Sequence, residues 1–244
     1  MFDSLKTAAA SLLFPLQCRV CGRLAEDPRD GVICAECWAD ARIFNGSETH
    51  CTKCGAFLRA SPPAGETYCR QCDEMYFDMA RAVGIYDGAI AALIVALKRK
   101  PHLPERAGRL LIESAEKWMM GTCTRIIPVP LSRQREKERG YNQAVIIGRY
   151  LSHKTGIPLD ERSLVRSVHT PIHRAGMDRK AREQSVKNSF EVIRPKLIEG
   201  QSVLLVDDVL TTGATVSYCA RVLRKSGALS VKVLTLGRAG FTGR

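Results

Sequence analysis

Residues 202–215 read Ser-Val-Leu-Leu-Val-Asp-Asp-Val-Leu-Thr-Thr-Gly-Ala-Thr and concentrate side chains suited to chemistry. Asp207 and Asp208 are adjacent carboxylates, acceptors for sugar hydroxyls or hard oxygen ligands for Mg²⁺. Thr211, Thr212, Gly213, Ala214 and Thr215 follow. They supply hydroxyls, a glycine and the free N–H groups that open a helix, which together make a phosphate site. The two halves ask for different parts of one ligand, because carboxylates repel the phosphate that the loop attracts. A sugar with a phosphate at one end and hydroxyls in the middle meets both demands. The plainer alternative is a strand ending in two solvated aspartates before a capped helix.

Eight of the ten cysteines fall into four C-x-x-C pairs: Cys18/Cys21, Cys34/Cys37, Cys51/Cys54 and Cys69/Cys72. Each pair can turn two thiolates onto one ion, and Gly22 and Gly55 permit the tight turn after the first and third pairs. Eight ligands fill two closed Cys₄ zinc sites, which leave no position for a reactive water and are structural. A redox motif would need one such pair in a βαβ setting, and an iron–sulfur cluster suits the regular ribbon spacing less well. The simplest grouping is 18/21/34/37 with 51/54/69/72, with a crossed grouping left open by the spacing. His50 beside Cys51 is a surface residue on this reading. Cys123 and Cys219 stand outside the pattern, Cys219 as core.

Three basic clusters could serve an anion. Arg133, Arg135, Lys137 and Arg139 occupy residues 131–140, a segment without apolar periodicity and so a predicted loop. Arg forks there could grip a pyrophosphate; interleaved with Glu136 and Glu138, they could also form a solvated turn. Residues 167–187 carry Arg174, Arg179, Lys180, Arg182 and Lys187, either a basic loop closing over a reacting polyphosphate or a linker. Lys98-Arg99-Lys100 ends a helical stretch, where cations suit the macrodipole, and could reach phosphate as well.

These residues need a scaffold. Val203–Val206 is a short apolar run, predicted as a strand of a parallel sheet buried on both faces, and ligands of such sheets sit beyond the carboxyl ends of the strands. Further strands are predicted at 81–86, 125–130, 163–166, 190–193 and 230–236. Helices are predicted at 89–97, 106–120, 141–153 and 215–225, and the alternation gives an α/β fold. A helix burying Phe2, Leu5, Ala9, Leu12 and Leu13 is predicted before the cysteines. The division falls at 1–78, helix and double zinc ribbon, and 79–244, the sheet domain. The net charge of +12 is uneven: residues 1–78 hold eight Lys/Arg against eleven Asp/Glu, leaving +15 for the remainder. An anion, polyphosphate or nucleic acid, would be drawn to the sheet domain. No stretch is long and apolar enough for a membrane span, residues 5–14 lack the flanks of a signal peptide, and a cytoplasmic location is expected.

The aliphatic run with Asp207-Asp208 and Thr212-Gly213 resembles the signature of type I phosphoribosyltransferases. The resemblance implies that the two acids contact the ribose hydroxyls of 5-phosphoribosyl 1-pyrophosphate, that residues 211–215 hold its 5-phosphate, and that Mg²⁺ accompanies it. Over nearly the whole chain the order of motifs is Phe-Pro-x-x-Cys, the four cysteine pairs, Ile-Pro-Val-Pro-Leu-Ser-Arg, Arg-Gly-Tyr-Asn-Gln and Val-Asp-Asp-Val-Leu-Thr-Thr-Gly-Ala-Thr. This order is similar to that of the ComF family, double zinc ribbon proteins linked to natural competence. Many members carry Gln at the position of His173 and Asn at that of Ser185, departures that bear on an acceptor pocket. Phosphoribosyl transfer to an unassigned acceptor is implied, with a non-catalytic role in handling single-stranded DNA beside DNA-uptake proteins as the alternative.

Overall fold

The computed structural model of the protein describes residues 16–48, 50–57, 69–119, 121–166 and 189–240. The expected N-terminal helix and the basic segment 167–187, with His173 and Ser185, lie outside the described residues.

The centre is a parallel sheet of four strands: β3 (Met79–Ile85), β4 (Arg125–Pro128), β7 (Ser202–Leu210) and β8 (Ser230–Arg238), in the order β3-β8-β7-β4. The apolar run continues through the two acids to Leu210, so β7 is longer than its predicted core, and Asp207 pairs with Thr235 on β8. Side chains alternate along β7. Val203 and Leu205 pack on one face with Val216, Cys219 and Leu223 of the helix α6 (Ala214–Lys225). Leu204 and Val206 pack on the other with residues of α2 (Gly88–Leu97), α3 (Glu105–Trp118) and α5 (Gln143–Thr155). Both faces are covered, which is why the run contains no polar residue before Asp207.

Two expectations need correction. Residues 131–140 are not a loop: Arg133–Arg139 forms the short helix α4. The Ser132 side chain accepts from the Arg135 N–H, and Gly140, at φ 77°, closes the helix. Arg, Gln, Glu and Lys are good helix formers, so caps and propensity make a helix without an apolar stripe. The strands at 163–166 and 190–193 do not join the sheet either. They pair with one another as the antiparallel β5 (Leu164–Arg166) and β6 (Phe190–Val192).

The cysteine region is packed into the same cores. Antiparallel β1 (Leu16–Gln17) and β2 (Leu24–Ala25) flank the first pair, and α1 (Ala35–Ala39) carries Cys37. Cys18, Ile33, Cys34 and Trp38 share the α2–α3 core. Buried Asp30 pairs with Arg106 of α3 at 3.1 Å, and the guanidinium lies 5.2 Å from the centre of the Trp38 ring. Cys51, Cys54 and Cys72 pack instead with the α6 core.

Candidate functional site

The carboxyl end of β7 brings three elements together. Asp208 faces the α2–α5 side, where Lys98, just past the end of α2, approaches its Oδ2 at 3.3 Å. Gln143, the first residue of α5, donates from Nε2 to the same oxygen at 3.4 Å. The chain around Gln143 is fixed by its neighbours: Tyr141 donates to the Leu97 carbonyl at 2.7 Å, and Asn142 caps α5 while donating to the Val129 carbonyl at 2.9 Å. Asp207 turns to the opposite face. One of its oxygens accepts from the Asp208 N–H at 2.8 Å, and the other has no partner among the described residues. Burial, reinforced by the charge of Asp208, pushes the Asp207 carboxyl up to about 8. A hydroxyl donor or a cation would satisfy this carboxylate, the behaviour expected of an acid waiting for a ligand.

Two residues beyond the acids β7 ends at Leu210, and α6 begins at Ala214. Gly213 holds φ 82°, a conformation that disfavours any side chain, and turns the loop into the helix. As N-cap, Gly213 gives α6 no side-chain cap; the Thr212 hydroxyl accepts from the Ala214 N–H at 3.4 Å. Thr211 and Thr212 are exposed, and Ala214 and Thr215 are half-buried. A helix start with glycine at its N-cap and hydroxyls alongside is suited to a phosphate. The cations of α4 stand after the neighbouring strand β4, with Arg133 and Lys137 exposed and Arg135 half-buried. The structure does not bring Arg133, Arg135 or Lys137 onto the acids; among the described residues the side chains that reach the pair are Lys98 and Gln143, both on Asp208.

Sequence reasoning passed over three participants. Gln143 was legible only as the start of a helix, and Lys98 only as one of three solvated or phosphate-seeking cations. Arg238 carried no signal. It ends β8, is buried, and donates to the Leu210 and Thr211 carbonyls at the root of the phosphate loop.

The eight cysteines form two groups, Cys18/Cys21/Cys34/Cys37 and Cys51/Cys54/Cys69/Cys72, with the sulfurs of each within 4.8 Å of one another. Both first knuckles use the same backbone bonds. Cys18 and Cys51 donate to the carbonyls of Arg23 and Ala56, and Gly22 and Gly55 donate back to Cys18 and Cys51. Sulfur separations of 3.5 to 3.7 Å match the ~3.8 Å edge of a tetrahedron built on Zn–S bonds of about 2.3 Å. Burial pushes the Cys51 thiol up, but N–H groups of Cys54, Cys69 and Lys53 overcome this and bring it down to about 7. In Cys18 the same contest ends at about 6. Burial and the neighbouring thiols push Cys37 and Cys72 upward, so each tetrad resists full ionisation without a cation among the sulfurs. The donor set fits zinc. His50 is no member of either tetrad; its Nδ1 lies 2.6 Å from the Glu48 carbonyl.

Among the described residues no helix is long and apolar enough to cross a membrane. The double zinc ribbon domain family matches residues 9–73, and the phosphoribosyl transferase domain family matches residues 162–240. Competence protein F of Haemophilus influenzae is 30% identical over 216 residues, covering 85% of this chain and 90% of its own. DNA utilization protein YhgH of Salmonella typhimurium is 30% identical, over 84% of this chain and 90% of its own. Competence protein ComFC of Bacillus subtilis is 33% identical over 119 residues, 47% of this chain and 44% of its own.

Proposed function

This chain belongs to the ComF family of competence proteins, a double zinc ribbon ahead of a phosphoribosyltransferase-like fold, and we propose that it binds 5-phosphoribosyl 1-pyrophosphate with Mg²⁺ and transfers the phosphoribosyl group. The observation that carries this is the succession, beyond one strand, of an acid pair and a helix start turned by Gly213. Asp207 and Asp208 would accept from the ribose hydroxyls and oppose the positive charge that grows as the anomeric carbon parts from pyrophosphate. Residues 211–215 would hold the 5-phosphate. Lys98 and Gln143 hold Asp208 in place, which fixes the acid pair before the ligand arrives. Arg133, Arg135 and Lys137 stand on the side of β4 and would take the departing pyrophosphate. Asp207 and Asp208 would also be the residues to hold magnesium, which supplies charge neutralisation on the pyrophosphate. The acceptor attacks the anomeric carbon as its bond to the pyrophosphate oxygen breaks, and the electron pair leaves with pyrophosphate.

A two-ended site makes a two-ended prediction. Ribose 5-phosphate and magnesium pyrophosphate should each raise the melting temperature by less than the intact ligand, and each should compete with it. Absence of competition by ribose 5-phosphate would remove the loop assignment. The relatives are named for competence and DNA utilization, so we place the protein's work in DNA uptake, in the cytoplasm. A second reading, direct handling of single-stranded DNA with phosphoribosyl pyrophosphate as regulator, is favoured by the +15 carried by residues 79–244. It requires an affinity that falls steeply with salt.

A further inference from the structure

Arg81 and Arg238 are both buried, each 7% exposed, and among the described residues neither has a carboxylate partner. A buried cation without a counter-charge is costly, so their partner has to be sought elsewhere. Both reach toward the second cysteine tetrad. Arg238 Nη2 lies 3.9 Å from Cys54 Sγ. Arg81 donates to the carbonyl of Ala80 beside it on β3 and to that of Thr52, between Cys51 and Cys54. Four thiolates around one Zn²⁺ carry a net charge of −2, which matches two guanidinium ions. Among the described residues the first tetrad has no such pair of buried guanidinium ions. Arg23, which bonds Cys21, is exposed and is shared with Glu36.

The other side of Arg238 holds the phosphate loop. Nη1 donates to the Leu210 carbonyl at 3.2 Å and to that of Thr211. The first turn of α6 also meets the segment that follows the second tetrad: the Tyr76 N–H donates to Ser217 Oγ at 3.1 Å. A Cβ on Gly213 would stand 3.6 Å from Met75 Sδ. Cys54, Cys72, Met75, Thr212, Gly213 and Arg238 share one small cavity between tetrad and loop.

We propose that Arg238 is a positioning residue that braces the phosphate loop against the zinc-loaded second tetrad, so that metal in this tetrad, and not in the first, sets the order of residues 210–215. The brace itself stands on the contacts above, whereas its service to a phosphate rests on the proposed ligand. Arg238→Lys keeps the cation but cannot fork two carbonyls and a thiolate; Arg238→Met loses both. Arg106→Gln, at the first ribbon, is the control.

The test is amide hydrogen exchange of the full zinc-loaded chain, with zinc release to a chromogenic chelator followed in parallel. Loss of two charge-assisted bonds should speed exchange in residues 210–215 at least about tenfold in both Arg238 variants. Arg238→Met should also release one of its zinc ions faster, and Arg106→Gln should leave the loop at the wild-type rate. Wild-type exchange at 210–215 in both Arg238 variants, or an equal rise in Arg106→Gln, overturns the brace. Should Arg238→Met not fold, Arg238→Lys decides the matter. Calorimetry with magnesium phosphoribosyl pyrophosphate separates the two layers. No binding by wild type defeats the functional reading while exchange still judges the brace. Unchanged affinity in Arg238→Lys despite a loosened loop defeats the link to the phosphate.

Discussion

Replacing Asp207 by Asn should stabilise the ligand-free protein while removing its ligand. The carboxyl is pushed up to about 8 by burial and by Asp208, whereas in the unfolded chain it ionises near the ordinary value of 3.8. Between those limits the native state keeps a proton that the unfolded state has released, so this site's contribution to stability is present below about pH 4 and is lost as pH rises toward 8. At pH 7 about three pH units of the window have been crossed, and at ~1.4 kcal/mol per unit the upper bound is roughly 4 kcal/mol. Asp207 is only half-buried and Lys98 opposes the effect, so about 2 kcal/mol is the working figure. For a chain of this size that raises the melting temperature by roughly 4–8 °C. Thermal unfolding at pH 5, 7 and 8.5 reads it directly. The Asn variant should gain least at pH 5 and most at pH 8.5. A gain that does not depend on pH, or a loss at every pH, would refute the electrostatic reasoning.

Other outcomes follow from the same geometry. Gly213→Ala places a side chain at φ 82°; it should cost about 1–2 kcal/mol of stability and lower ligand affinity beyond what melting accounts for. Arg133, Arg135 and Lys137 replaced together by Ala should leave the melting temperature within about 2 °C, because none is buried. The same variant should weaken magnesium pyrophosphate binding by an amount that shrinks as salt rises. Removing zinc with a strong chelator should unfold the ribbons and expose the buried Trp38, read as a shift in tryptophan emission; an unchanged spectrum would contradict a structural role for the metal.

Much of the α/β frame was legible because apolar runs and turn glycines agree with one another along β7, α6 and β8. The segment 131–140 was not, since a helix without a buried stripe shows only through Ser132, Gly140 and residue propensity. The β5–β6 pair was legible as two strands, but nothing in six residues says which sheet they join. At the site, Asp207, Asp208 and residues 211–215 announce themselves because they are consecutive. Lys98, Gln143 and Arg238 meet them only after folding, and their spacing from the acid pair has no local signature. The cysteines gave ligand number from spacing, but their grouping needed coordinates, since each C-x-x-C is the same motif.

The central claim is most directly tested by isothermal titration of the zinc-loaded protein with magnesium phosphoribosyl pyrophosphate, run beside the Asp207→Asn/Asp208→Asn double variant. The account predicts saturable one-site binding by the wild type and at least about a hundredfold weaker binding by the folded double variant, the loss of two charge-assisted hydrogen bonds. Equal affinity in the two proteins, or no heat from the wild type, would contradict it.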